Sequence, residues 1–123
     1  MNNQDYMEIH QLITLADQYA NQRKVKEYLA LFTEDGEITG VLGSTTGQEQ
    51  LANFIARTWE KESDDLHLTN SIMITQLTDQ TAEATSILLI VEKENKTIAD
   101  VSQINHRLVK IDGSWKFTQR KIG

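Results

Sequence analysis

The chain has no cysteine and no proline among its 123 residues. Without thiols there is no disulfide framework, no thiolate nucleophile and no cysteine-ligated zinc. Without proline, no rigid boundary marks off a linker or a second domain. The longest apolar run, Ile87 to Val91, is far too short to span a bilayer. No N-terminal apolar segment has the form of a signal peptide, so the expectation is a cytoplasmic protein with no membrane partner. Basic residues are scarce, 12 Lys and Arg against 18 Asp and Glu, for a net charge of −6. Arg23-Lys24 with Lys26, and Arg120-Lys121, are too short to form the positive field that phosphates require. This argues against a nucleic-acid partner.

What is present is an ordinary globular composition, 39% apolar and 24% charged. It fits one domain over residues 1–123, long enough for its own core. Ile9, Leu12, Ile13, Ala16 and Tyr19/Ala20 recur at helical spacing and predict a first helix over about residues 4–21. Val25, Tyr28, Leu29 and Phe32 repeat the pattern in a shorter helix that stops at Glu34-Asp35-Gly36. Glu37–Val41 reads as a short strand. Gly40–Gly47, with three glycines, reads as a loop. Thr46 or Gly47 then caps a third helix with Leu51, Phe54, Ile55 and Trp59 on its apolar face.

Beyond the acidic turn Glu60–Asp65 the period changes from 3.6 to 2. Leu66–Leu77, Ala82–Glu92, Ile98–Ile111 and Ser114–Ile122 read as four strands of an antiparallel meander. Asp112-Gly113 between the last two is a strong hairpin signal. Helices first and strands after them mean α+β. The expected architecture is three helices on the concave face of a strongly curved antiparallel sheet, a cone-shaped α+β barrel with a hollow at its open end.

Several segments in this order carry a family likeness. They are Ile9-x-x-Leu12 leading to Tyr19-Ala20, then Tyr28-Leu29-Ala30-Leu31-Phe32-Thr33-Glu34-Asp35-Gly36, and Gly47 opening the third helix. The His67-to-Asn70 segment follows, then Arg107 to Phe117 with its Asp-Gly-x-Trp turn, then Arg120. The chain resembles a SnoaL-like domain of the nuclear-transport-factor-2-like superfamily, which also includes scytalone dehydratase and bile-acid 7α-dehydratase. The resemblance implies an apolar interior pocket and a homodimer formed through the sheet. Enzymes of this superfamily commonly use an Asp after the first helix, a nearby Tyr and one or two strand histidines. Tyr19 matches the tyrosine, whereas Lys24 stands where the Asp belongs. His106 matches a strand position that carries Asp or His, and Ile104 stands where Tyr is common.

His106 shares strand parity with Ile104 and Leu108 and should point inward. Two readings satisfy it: a buried neutral imidazole bonded to a hydroxyl or backbone carbonyl, or an acid–base group facing the pocket. For His67, a regular strand would put Asn70 inside with Leu66, Leu68, Ile72 and Ile74, and His67 outside. A β-bulge between the two would make them converge. His10 falls just off the apolar stripe, at the surface. Trp59, Phe54 and Tyr28 serve the core or a ligand platform. Ser86, with Ala82 and Ala84, forms a small-residue face that leaves room for a ligand or a close helix. Lys24 at the cavity mouth would favour an anionic ligand; away from it, it is solvated. Arg120 is expected to pair with Asp35 or Glu37.

The sequence therefore points to a protein enclosing a small apolar or hydroxylated ligand, with no cofactor and no metal, since two histidines fall short of a zinc set. One reading is a cofactor-free dehydratase, isomerase or cyclase. His106 would be its acid–base group, Tyr19 a donor to the developing oxyanion, and His67 or Asn70 a positioning group. A non-catalytic carrier or sensor, or a protein-interaction module, is the alternative.

Overall fold

The computed structural model describes residues 3–62 and 64–123. Helix α1 (Asn3–Asn21) buries the expected stripe of Ile9, Leu12, Ile13, Ala16 and Ala20. It is followed by the single turn α2 (Val25–Leu29) and by α3 (Gln48–Glu62). The strands are β1 (Phe32–Gly40), β2 (Gly43–Thr46), β3 (Leu66–Leu77), β4 (Thr81–Glu92), β5 (Thr97–Ile111) and β6 (Ser114–Ile122). They form one curved, open sheet in the order β2-β1-β6-β5-β4-β3.

The α+β layout is as expected, with two refinements. The pairs β3–β4, β4–β5 and β5–β6 are the antiparallel meander, but β1 lies parallel to β6, so the sheet is mixed. A run of alternating residues gives no sign of a parallel neighbour lying some eighty positions away. The second refinement is β2, which pairs antiparallel with β1 inside the stretch expected to be a loop. Its residues, Gly-Ser-Thr-Thr, carry no apolar alternation, and a Thr39–Ser44 hydroxyl pair at 2.9 Å helps hold it.

The second helix also ends earlier than its apolar spacing suggests. Tyr28 and Leu29 pack from α2, while Phe32 packs from β1 beside Phe117. The β1–β6 register then shifts between Phe32 and Glu37. Gly36 lies in that irregularity, where a Cβ would stand 3.0 Å from the Phe32 side chain, so any larger residue would need Phe32 to shift. At the other hairpin Asp112 and Gly113 both have positive φ (51° and 82°), as a two-residue type I′ turn requires.

One bulge decides the orientation of β3. Ser71 has φ 55°, and the β3–β4 register shifts between Asn70 and Met73. Before the bulge the odd residues His67 and Thr69 turn inward and Leu68 and Asn70 turn out; after it Ile72 and Ile74 face in. The uniform parity expected for this strand is thus broken. The bulge comes just past Asn70 rather than between His67 and Asn70.

Candidate functional site

Where α1, α2 and α3 meet the sheet they leave an inner cavity of about 170 Å³. A larger groove of about 530 Å³ adjoins it and shares Ile38, Phe54, Asp100, Ser102 and Ile122 with its wall. The inner chamber alone is below the roughly 300–1,000 Å³ usual for small-molecule sites, and with the groove it falls within that range. The walls are mostly apolar, among them Ile55, Trp59, Leu88, Ile90 and Ile104. The polar lining consists of Asp17, Tyr28, Thr58, Glu62, His67 and Arg120, with Asp100 and Ser102 toward the groove.

His67 is the histidine of this cavity. Its Nε2 lies 2.9 Å from Glu62 Oε1, both side chains being largely enclosed. A carboxylate there accepts from Nε2–H, which leaves Nδ1 to exchange a proton. The His67 backbone is fixed as well. Its N–H donates to Asn21 Oδ1 at 2.6 Å, and its carbonyl accepts from Asn21 Nδ2 at 3.0 Å.

Tyr28 and Arg120 form the second polar unit. Arg120 Nη1 donates to Tyr28 Oη at 2.7 Å, and the guanidinium lies 5.1 Å from the centre of the Phe117 ring. Burial raises the phenol's pKa above its ordinary 10.0, against the lowering pull of Arg120. The carboxylates of Asp17 and Glu62 lie close enough to raise it further. Tyr28 therefore stays protonated: it accepts from Arg120 and has its own O–H to give. The edge of Trp59 meets its ring at 5.2 Å between centres.

His106 does point inward, as its parity predicts, but it is sealed in the core and lines no part of this cavity. Its Nε2 lies 2.8 Å from Ser86 Oγ and its ring stacks on Phe117. Burial, helped by the nearby Arg120 charge, lowers its pKa to about 2, so it is neutral at ordinary pH. This is the hydroxyl-bonded imidazole of the first reading. Ser86, fully buried, is accordingly a core partner and not a cavity wall.

The other expected residues divide. Trp59, Phe54, Tyr28 and Ile104 line the cavity. Tyr19 is half-buried against the core and takes no part in the lining. Asn70, turned out by the strand's parity, is exposed and accepts from Ser71 Oγ. Lys24 is exposed and away from the cavity, so it gives no support to an anionic ligand. Arg120 turns inward to Tyr28 instead of pairing with Asp35 or Glu37, and Glu37 instead accepts from Gln119 Nε2 at 2.6 Å. His10 is exposed.

Asp17 and Glu62 were not among the sequence candidates, yet their phase marks them. Asp17 falls four residues after Ile13 and three before Ala20, within the buried stripe of α1. Glu62 falls three after Trp59 on the buried face of α3. An acid in phase with a buried stripe has to be explained by a partner or a site.

The family model of the SnoaL-like domain matches residues 2–121. No curated protein matches the chain. Among solved structures, a protein of unknown function with a cystatin-like fold from Nostoc punctiforme is 25% identical, with a TM-score of 0.93 over 99% of this chain and 92% of its own. A candidate scytalone dehydratase from Novosphingobium aromaticivorans is 20% identical, with a TM-score of 0.81 over 96% of this chain and 82% of its own. ActVI-ORFA from Streptomyces coelicolor is 22% identical, with a TM-score of 0.81 over 95% of both chains. The last two likenesses concern the fold alone.

Proposed function

The chain belongs to the SnoaL-like domain family, and from that premise we propose that it binds a small, largely apolar molecule and moves a proton on it without a cofactor. The observation that carries this reading is the His67–Glu62 pair at 2.9 Å in the wall of an otherwise apolar cavity. A carboxylate behind an imidazole fixes its tautomer and stabilises the imidazolium formed when Nδ1 takes a proton. Tyr28, backed by Arg120, is the donor for an oxygen that gains negative charge as that proton leaves. Base and donor together suit an isomerisation, in which the proton returns at another carbon. They also suit a dehydration, in which a neighbouring hydroxyl departs as water with the proton supplied by the imidazolium. The acid–base role expected of His106 thus passes to His67, and the oxyanion-donor role expected of Tyr19 passes to Tyr28.

The test uses 1-tetralone, a bicyclic enolisable ketone, in D₂O with the full chain, reading α-deuteration by mass spectrometry. The protein should accelerate exchange over buffer. His67→Gln should cost about 10²-fold or more of that acceleration, the usual value of a positioned general base. Exchange no faster than in buffer, or unchanged by His67→Gln, would refute the catalytic reading and leave a carrier.

The homodimer is part of the same proposal. Leu68, Leu89 and Val101 stand opposite one another across β3, β4 and β5 on the outer face, near exposed Met73 and Ile98. An apolar row of this kind on a sheet's outer side is a natural contact for a second copy.

A further inference from the structure

Asp17 is 93% buried by its 7% exposure, lines the inner cavity, and has in Oδ2 a buried oxygen with no hydrogen-bond partner. An enclosed carboxylate oxygen without a donor is costly, and native structures rarely leave one so unless a water, an ion or a ligand completes it. The cation and the histidine of the lining do not complete it: Arg120 Nη1 bonds Tyr28 while its Nε is itself without a partner, and His67 Nε2 is held by Glu62. No three His, Asp or Glu among the described residues are grouped to hold a metal ion.

The charge of the lining points the same way. Asp17, Glu62 and Asp100 face one permanent cation, Arg120. An anionic ligand would meet three carboxylates, two of them in semi-dry surroundings where repulsion is poorly screened. A ligand ammonium would instead give Asp17 a charge-assisted hydrogen bond and lie among the aromatic surfaces of Trp59 and Tyr28.

We infer that the cavity takes an organic cation, a flat apolar body carrying a primary or secondary ammonium group that docks on Asp17. This rests on the ligand-binding reading above and names the class of its substrate: an amine whose oxygen-bearing part reaches Tyr28. Asp17 would fix orientation, and the proton chemistry would stay with His67.

Three probes share one indole body and differ in the head group: tryptamine, tryptophol and indole-3-acetate. Their affinities for the full chain are measured by calorimetry at neutral pH. Tryptamine should bind about tenfold or more tighter than tryptophol, the worth of one hydrogen bond to a charged group, and indole-3-acetate should bind least. Asp17→Asn, close in shape, should remove tryptamine's advantage and leave tryptophol within about twofold. Tryptophol thus also reports whether the variant still folds. Glu49→Gln, an exposed acid on α3, lowers the negative charge equally and should change nothing. The inference is overturned if indole-3-acetate matches tryptamine, if none of the three binds at millimolar concentration, or if Asp17→Asn leaves the order intact. Calorimetry needs no turnover, so a silent deuteration assay with tryptamine still preferred would defeat the catalytic reading alone.

Discussion

Asn21, the last residue of α1, grips the backbone of His67 through both ends of its amide, across 46 positions of sequence. The clamp replaces a ladder partner: β3 is an edge strand, and α1 supplies the donor and acceptor that a further strand would have given. It also fixes the depth at which His67 enters the cavity.

Asn21→Ala is expected to cost about 1–3 kcal/mol, the penalty for leaving partly buried backbone groups unmade. Urea denaturation measures that loss. A positioning role predicts in addition a fall in deuteration rate beyond what unfolding explains, with Asn21→Asp, which keeps the acceptor for the His67 N–H, falling less.

His106 gives a pH signature with a definite sign. Its pKa falls from 6.5 in the open chain to about 2 in the fold, so the unfolded state binds the proton more readily. Its contribution is therefore complete above 6.5 and declines as pH drops below that value, by up to about 1.4 kcal/mol per pH unit. In NMR its ring should not titrate across neutral pH. His106→Gln should flatten the acid side of the stability profile.

Asp5 works at lower pH. Its carboxylate accepts from Trp115 Nε1 and Lys110 Nζ, each at 3.1 Å. The Trp115 bond first, and then Lys110, hold its pKa below 3.8. A depressed acid stabilises fully above its unfolded value and loses that contribution as pH falls through the folded one. Asp5→Asn should thus remove an acid-sensitive step, read by Trp115 fluorescence, in the range below about pH 4.

Ser71 supplies the positive φ that reverses the facing of β3. Ser71→Gly should preserve the bulge at little cost. Ser71→Val, β-branched in a left-handed conformation, should cost about 1–3 kcal/mol. Deleting residue 71 should remove the bulge and restore strict alternation, with His67, Thr69, Ile72 and Ile74 all still facing in, so the deletion should cost less than Ser71→Val. The deuteration assay and hydrogen exchange along β3 distinguish these results.

The helices and the four long strands were legible because burial imposes a period, and a period survives in sequence. His106 was placed inward by the same parity argument. That argument could not tell a cavity from a packed core, because both are inside. Asp17 and Glu62 left a phase signal, an acid on an apolar stripe, but their convergence on His67 depends on how two helices sit against one edge strand.

The sequence by itself determined the α+β order, the inward face of each helix, the Asp112-Gly113 turn and the family, all of which follow from local pattern. Only the tertiary structure decided which histidine meets the cavity, that β1 runs parallel to β6, and that Arg120 backs Tyr28. The physical reason is one of range. Periodicity and turn chemistry act over a few residues, whereas a single φ at Ser71 and the docking of α1 and α3 set the orientation of side chains contributed from distant parts of the chain.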